Sequence, residues 1–181
     1  MRKLALSLFL GLGLAAAPAP QEKPISIEAE DGKSTKVGKL DWVKVNKPEG
    51  FSGTGAMMAM PNENALIEEG FVTMSPRLDF EVVFPAPGKY FVWVRGLGET
   101  FEDNSVHVGL DGKAVESADK IAEFEAEWTW CRDTKDGDEA TLKIDAAGKR
   151  TLNVWMREDG FVLDRILLTT DAKFSPSGKG P

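Results

Sequence analysis

Short apolar runs recur along the chain at intervals of about 8–12 residues, and Gly and Pro separate most of them. The run 77–84 alternates apolar and charged positions, as a strand does when one face is buried and the other is solvated. Runs 89–95, 105–110, 140–145 and 151–156 also have strand character, and helical periodicity is nearly absent. The pattern therefore predicts an all-β fold, either a sandwich or a barrel.

The turn residues between these runs predict three hairpins. Pro85-Ala86-Pro87-Gly88 would join 77–84 to 89–95, and Ala146-Ala147-Gly148-Lys149 would join 140–145 to 151–156. Asp111-Gly112 would return the chain from 105–110 into 113–116, and Asp-Gly is a strong signal for a tight hairpin turn.

The last strand places an acidic residue where the pattern predicts burial. If Val162, Ile166 and Leu168 face the core, Asp164 shares their face, because side chains two apart on a strand point the same way. An ionised carboxylate survives there only with a partner or a metal ion. Asp164 is therefore a candidate metal ligand.

A second acidic feature lies in the first strand. Glu28 and Glu30 leave the same strand face and repel each other unless a cation lies between them. Calcium binds six to eight oxygen ligands, whereas zinc prefers the His and Cys side chains that are scarce in this chain. These residues predict a β-sandwich with a structural calcium ion.

The first 20 residues have the features of a bacterial-type secretory signal. Their apolar run, Leu4 to Leu14, is shorter than the roughly 17–25 residues of a spanning helix, so a retained membrane anchor is the less favoured alternative. We expect a secreted, periplasmic or cell-surface protein in which residues 1–20 are the signal peptide. A single module then covers residues 21–172, and residues 173–181, rich in Gly, Pro and Ser, form a flexible tail.

Charge narrows the range of partners. The chain has 22 basic and 29 acidic residues, a net charge of −7, and loss of Arg2 and Lys3 with the signal peptide makes it −9. This excess of negative charge argues against nucleic acid and anionic membranes as partners.

Catalytic chemistry is not indicated. The single cysteine, Cys131, cannot form an intramolecular disulfide, and the single histidine, His107, has no orienting partner evident in the sequence. No Ser-His-Asp order, phosphate loop or His-rich metal site is present. Two carboxylates would suffice for a glycoside hydrolase, but the acidic residues lie mostly in turns and on alternating strand faces. We expect a protein that is not an enzyme.

Six motifs in order carry a resemblance to known proteins. They are Glu28-Ala29-Glu30-Asp31, the run 50–57 with its three glycines, Phe84-Pro85-Ala86-Pro87-Gly88-Lys89-Tyr90, Val92-Trp93-Val94-Arg95-Gly96, Val108-Gly109-Leu110-Asp111-Gly112 and the run 154–166. Over nearly the whole mature chain, the sequence resembles carbohydrate-binding modules of families 6 and 35, and more closely the C-terminal domain of family 115 glycoside hydrolases. The resemblance implies a jelly-roll β-sandwich of the galactose-binding-like type.

The resemblance also implies a calcium site. In those modules a structural calcium ion ties the first strand to the last, and its acidic ligands correspond to Glu28, Glu30 and Asp164. The alternative is that the two glutamates face solvent and that Asp164 forms an ordinary ion pair with Arg165 or Arg95.

Loops at one end of the related modules bind sugars through aromatic rings and polar groups, which suggests the ligand-binding candidates here. Trp128 and Trp130 share a strand face, so both indoles line one surface or both enter the core, and Phe51 lies in a glycine-rich loop. In the related modules, the loop before the last strand contributes a polar side chain to the sugar site. This chain has charged residues in that loop, and these would either bind a uronic acid or form an internal ion pair. The candidates are Trp128, Trp130, Arg157, Glu158, Asp159, Asn104 and Phe51.

These features predict a secreted, non-catalytic module that binds a poly- or oligosaccharide and holds a structural calcium ion. The alternative is a protein-interaction or adhesion module of the same fold that binds other surface proteins, because a fold does not fix a function.

Overall fold

Twelve β-strands form most of the regular structure in residues 23–181, which are the residues that the computed structural model describes. The predicted signal peptide lies outside the described residues. Between the strands are one short helix, α1 (Phe71–Met74), and 3₁₀ turns at Ala29–Asp31 and Glu116–Ala118. The strands are β1 (Ile25–Glu28), β2 (Lys33–Thr35), β3 (Asp41–Val45), β4 (Ala56–Met60), β5 (Arg77–Phe84), β6 (Gly88–Leu97), β7 (Val106–Leu110), β8 (Lys113–Ala114), β9 (Thr129–Cys131), β10 (Thr141–Ile144), β11 (Gly148–Met156) and β12 (Val162–Thr169).

The strands form two antiparallel sheets that pack face to face. The first sheet has the order β10-β6-β12-β4-β3, with β1 also paired to β12 and β9 also paired to β6. The second sheet has the order β2-β5-β11-β7-β8. The predicted all-β jelly-roll sandwich is confirmed.

One main apolar core lies between the sheets. Alternate residues of β5, β6, β7 and β11 contribute to it, as the period of two along a half-buried strand predicts. Burial of these side chains is the main force that holds the sheets together. The largest fully buried side chains of this core include Phe84, Phe161, Leu152 and Ile166.

Two of the three predicted hairpins are wrong. β5 and β6 lie in different sheets, as do β10 and β11, so each connection crosses between the sheets. The alternation of apolar positions identifies the buried face of a strand, but it carries no information about which neighbour the strand pairs with. The third hairpin is confirmed, because β7 pairs with β8 around Asp111 and Gly112, both at positive φ.

Strand β12 contains a β-bulge at Asp164, where its register with β6 shifts between Leu163 and Arg165. Leu163 and Ile166 therefore both join the main core, while Val162 packs into a second, smaller cluster. The prediction that Val162 faces the main core with Ile166 is wrong, because the bulge breaks the simple alternation. The predicted burial of Asp164 is confirmed, with 0% of its surface exposed.

The C-terminal segment, residues 170–181, follows β12. The structure places it against the sheet, where Arg165 donates hydrogen bonds to the carbonyl oxygens of Lys179 (2.6 Å) and Pro181 (3.0 Å). Within residues 23–181, no helix is long and apolar enough to cross a membrane.

Candidate functional site

The three predicted metal ligands meet at one loop. Glu28 at the end of β1, Glu30 in the following 3₁₀ turn and Asp164 at the bulge of β12 all make hydrogen bonds to residues of the loop 50–55, which precedes β4. The loop thus contacts both the first strand and the last, which are the two strands that a calcium ion would tie together according to the resemblance.

Asp164 lies at the centre of this arrangement. One of its oxygens accepts the backbone N–H of Ser52 at 2.6 Å, and the other accepts Nη1 of Arg95 at 2.5 Å. Because Arg95 is itself only 5% exposed, the pair is almost completely removed from water. This ion pair is the alternative that the sequence left open for Asp164.

Glu28 and Glu30 also contact this loop. Glu28 accepts the Ser52 hydroxyl at 2.6 Å and forms an ion pair with Arg165. Glu30 accepts the backbone N–H of Thr54 at 2.5 Å through Oε1, while its buried Oε2 has no hydrogen-bond partner. An acceptor left unpaired in this way costs free energy unless a cation or water satisfies it.

The backbone of the loop fits closely around these carboxylates. Gly53 has a φ of +53°, and a Cβ atom at this position would lie 3.2 Å from Oε2 of Glu28 and still closer to Oε1 of Glu30. Only glycine allows the backbone to approach both side chains in this conformation.

The carboxylate oxygens of Glu28, Glu30 and Asp164 are the type of ligand that a hard cation such as calcium prefers. All of the donors are oxygens, and one buried carboxylate oxygen is unpaired. Among the described residues, however, no group of three or more His, Cys, Asp or Glu side chains is already arranged around one point as a metal site. Arg95 and Arg165 neutralise two of the three carboxylates, so a bound ion would share those carboxylates with the arginines.

Phe51 and Trp128 form an aromatic patch on the second, smaller cluster. The structure brings these two predicted ligand residues together, both half-buried, against Leu97 and Val162. The Trp128 indole donates a hydrogen bond to the carbonyl oxygen of Glu49 at 2.8 Å, which holds the ring in place. We call Phe51 and Trp128 the aromatic patch.

A charged side chain lies beside this patch. The guanidinium carbon of Arg95 is 5.0 Å from the centroid of the Trp128 ring, within the range of a cation–π interaction. Arg95 therefore links the aromatic patch to Asp164 and so to the loop 50–55.

Trp130 does not join the aromatic patch. It is half-buried beneath the C-terminal segment, where its indole donates to the carbonyl oxygen of Gly178 at 3.0 Å and its ring contacts Gly180. Both indoles are partly exposed, so neither enters the core, but different segments of the chain cover them.

The charged turn before β12 is buried, in contrast to the exposed sugar-binding loop that the sequence predicts. Arg157 is 3% exposed and Glu158 is 5% exposed. Arg157 donates to Glu158 at 2.7 Å and to the Ser105 hydroxyl at 2.8 Å, and it forms a 3.2 Å ion pair with Glu68. The charges therefore pair inside the fold, which is one of the two possibilities that the sequence left open, although Nε of Arg157 is buried without a partner.

Asp159 and Asn104 belong to the same buried region. Asp159 is fully buried and accepts the backbone N–H groups of Glu63 and Ala65, each at 2.8 Å. The backbone N–H of Asn104 donates to Glu158 at 2.9 Å, and the side-chain oxygen of Asn104 is buried without a partner. The segment 61–70 and the loop 98–105 together cover the turn, so it does not line an open surface.

The sequence profile of the glycosyl hydrolase family 115 C-terminal domain matches residues 20–181, nearly the whole chain. The chain belongs to this family. This family 115 C-terminal domain is also 34% identical over 113 residues to the uncharacterized protein P23 of Formosa agariphila. That alignment covers 58% of this chain and 27% of the relative, so the chain spans about a quarter of the relative's length.

Solved structures confirm the predicted resemblance in fold. A family 35 carbohydrate-binding module from Clostridium thermocellum superposes with a TM-score of 0.56 at 15% identity, over 83% of this chain and 100% of that one. The C-terminal family 6 module of the laminarinase LamC from Zobellia galactanivorans superposes with a TM-score of 0.50 at 18% identity, over 81% of this chain and 99% of that one. At this level of identity, both show that the folds are alike.

Phe101 is an aromatic residue of the family 115 C-terminal domain that the sequence interpretation missed. It lies in the loop 98–105 and is 79% exposed, the most exposed of the large hydrophobic side chains in residues 23–181. An apolar ring within the polar run Glu99-Thr100-Phe101-Glu102-Asp103 was the signal that could have identified it. Binding residues are disproportionately found on loops, but single exposed apolar side chains are also common on folded proteins.

Cys131 is not placed for nucleophilic chemistry. Its thiol packs in the main core, and burial raises its pKa to about 11, so the reactive thiolate is disfavoured at neutral pH.

Proposed function

We propose that this family 115 C-terminal domain is a non-catalytic carbohydrate-binding module, and that a sugar ring stacks on the aromatic patch. The observation that carries the proposal is the convergence of Phe51 and Trp128, which are far apart in sequence, at one half-exposed surface. Aromatic faces bind the apolar face of a sugar, and polar groups at the edge of the patch take its hydroxyl groups.

The surroundings of the aromatic patch support this role. The hydrogen bond from Trp128 to Glu49 holds the indole before any ligand binds, so little conformational entropy is lost on binding. The glycine-rich loop 50–55 allows a ligand to approach the backbone closely, as Gly50 already does against the edge of the indole. Arg95 packs against the Trp128 ring and so helps to hold the indole in position.

We further propose that a structural calcium ion binds beside the loop 50–55. Glu28, Glu30 and Asp164 would hold it, and it would neutralise the unpaired oxygen of Glu30. The ion would tie β1, β12 and the loop together and so fix the position of Phe51. We also propose export of the protein, supported by the signal-like composition of residues 1–20.

The site can be tested by replacing each aromatic residue. For the variants Trp128→Ala and Phe51→Ala, we expect the affinity for a bound polysaccharide to fall by roughly tenfold or more, because loss of an aromatic anchor costs on the order of 2 kcal/mol. The measurement is isothermal titration calorimetry, with circular dichroism as the check that each variant is folded.

Trp130→Ala is the matched control, because Trp130 is also half-buried and also donates its indole N–H to a backbone carbonyl. Its affinity should stay within a factor of two or so of the wild type. An equal loss in Trp130→Ala and Trp128→Ala, with both folded, would place the sugar elsewhere.

A protein-interaction module is the second candidate function. It is favoured by the exposure of Phe101 (79%) and Leu66 (55%) on two loops, and by the burial of the charged turn 157–159. Loops on a rigid scaffold often carry the residues that bind partners. In that case Phe101→Ala would impair capture of a partner protein, and Trp128→Ala would leave it unchanged.

A further inference from the structure

The side of the first sheet that faces away from the second sheet carries apolar side chains that are buried. Leu167 lies next to the core residue Ile166 in β12, so its side chain points away from the core, and Trp93 pairs with it from β6. Leu167 is nevertheless fully buried, so another part of the chain covers it. We call this side of the sheet the outer face, and it carries the side chains of Trp93, Trp130, Arg132 and Arg165.

The C-terminal segment, residues 170–181, lies on the outer face and is held there through its backbone. Trp130, Arg132 and Arg165 donate side-chain hydrogen bonds of 2.6–3.2 Å to carbonyl oxygens of the segment. The acceptors are the carbonyl oxygens of Ala172, Gly178, Lys179 and Pro181. A carbonyl oxygen is present in every residue of any peptide, so these contacts do not depend on the side chains of the segment.

The side chains of the segment point mostly to solvent. Residues 172–173, 175 and 177–179 are exposed, and neither apolar cluster of residues 23–181 includes a residue of the segment. Two turns, closed by hydrogen bonds from the Phe174 N–H to Asp171 and from the Gly180 N–H to Ser177, give the segment its shape. The outer face therefore recognises a backbone conformation, and a different peptide with that conformation fits the same donors.

The two arginines are held in position by carboxylates rather than by the segment. Arg132 forms an ion pair with Glu139, and Arg165 forms one with Glu28. Arg132 also lies over the Trp93 ring, 4.7 Å from its centroid. Because each guanidinium charge is already balanced, the remaining Nη1 donors suit a neutral acceptor such as a peptide carbonyl group.

One donor of the outer face has no partner. The indole Nε1 atom of Trp93 is buried, and no atom of residues 23–181 accepts its hydrogen bond. A buried donor without an acceptor costs free energy, so the C-terminal segment satisfies the outer face incompletely. A peptide that brings one more carbonyl oxygen to Trp93 would bind this face more tightly than the segment does.

We propose that the outer face is a peptide-binding surface, that the C-terminal segment occupies it in cis, and that a Gly- and Pro-rich segment of a partner protein displaces it. The occupying sequence, Ser175-Pro176-Ser177-Gly178-Lys179-Gly180-Pro181, indicates which peptides fit. Proline restricts the free peptide and so lowers the entropy cost of binding, and aromatic-lined surfaces bind Pro-rich peptides for this reason. This surface is separate from the aromatic patch and does not depend on sugar binding.

Gly180 offers a way to release the segment without changing the outer face. A Cβ atom at Gly180 would lie 2.9 Å from a ring carbon of Trp130 and 3.4 Å from Nη1 of Arg165, and the φ of +86° adds strain. We therefore expect Gly180→Val to detach the segment in the intact chain. Gly178→Asn is the matched control, because φ is also positive there, asparagine tolerates that conformation, and a Cβ atom would meet nothing within 4 Å.

A fluorescently labelled peptide with the sequence of residues 170–181 is the probe, and fluorescence polarisation measures its binding. Wild type and Gly178→Asn should bind the peptide weakly, because the tethered segment competes at a high effective concentration. Gly180→Val should bind it roughly tenfold more tightly or better, with circular dichroism as the check that the variant is folded. Adding Trp130→Ala to Gly180→Val should abolish this gain.

Hydrogen exchange of the Trp130 indole N–H, assigned from its absence in Trp130→Ala, reports the position of the segment. This proton should exchange slowly in wild type, roughly tenfold faster or more in Gly180→Val, and slowly again when the peptide is added. An indole that stays protected in Gly180→Val, or equal peptide affinities of Gly180→Val and wild type, overturns the proposal. A folded Gly180→Val protein that gains affinity for a polysaccharide and not for the peptide also overturns it.

Discussion

Asp164 and Arg95 are a charged pair that the fold buries almost completely, with 0% and 5% of their surfaces exposed. Two ions taken out of water are stabilised only by each other and by their hydrogen bonds, here from Ser52 and to Gly50. Removal of one partner leaves the other buried without compensation. The penalty arises from the partner that remains rather than from the contact that is lost.

The variant Asp164→Leu should therefore be strongly destabilised. We expect a loss of about 3–5 kcal/mol in the free energy of unfolding, measured by urea denaturation in the presence of a chelator so that metal binding does not contribute. The control is Glu81→Ala, which breaks the exposed ion pair with Lys149 and should cost about 1 kcal/mol or less. Equal, small costs for both variants would contradict an essential role for the buried pair.

Single residues also show which structural features a sequence pattern can predict and which it cannot. Glu28 and Glu30 both reach the loop 50–55, but Glu30 lies in the 3₁₀ turn after β1, so a shared strand face does not bring them together. The apolar neighbours of Asp164 correctly indicated its burial. The burial of Arg157 could not be predicted in this way. Its burial depends on Glu68 and Ser105, which are distant in sequence. The sequence pattern of a charged run is the same whether the run is exposed to solvent or paired inside the protein.

At the scale of elements, the loop 50–55 connects parts of the chain that no local pattern relates. It accepts or donates hydrogen bonds with Glu30 after β1, Asp164 in β12 and Arg95 in β6, and it carries Phe51 into the aromatic patch. A metal ion at this loop would therefore affect stability and the proposed sugar site together.

Calcium should raise the melting temperature of the domain. With calcium well above its dissociation constant, we expect an increase of about 5 °C or more over the value in chelator, because a ligand that binds only the folded state stabilises it. Glu30→Gln should lose most of this shift, while Glu81→Gln should retain it. Identical melting temperatures in calcium and in chelator would mean that Arg95 and Arg165 alone hold the loop.

The elements themselves were largely predictable, and their pairing was not. The strands 77–84, 140–145 and 151–156 lie close to β5, β10 and β11, because alternation and turn residues are local signals. β5 and β6 lie in different sheets because β5 pairs with β11, whereas β6 pairs with β12. Such long-range pairing follows from the packing of the whole core.

At the scale of the molecule, the order of six motifs identified the family where no single motif would have done. The family profile over residues 20–181 and the two superposed modules agree with that identification and with the sandwich. The fold does not determine the ligand, since related sandwiches carry their binding residues on variable loops. Only the surface residues of this chain, above all Phe51 and Trp128, bear on what it binds.

The most direct test of the proposed function is the binding of the folded protein, with calcium present, to a panel of neutral and acidic polysaccharides by affinity electrophoresis. We predict retardation by at least one polysaccharide, and loss of that retardation in Trp128→Ala but not in Trp130→Ala. A folded, calcium-supplied protein that no polysaccharide retards would contradict carbohydrate binding and favour the protein-interaction module.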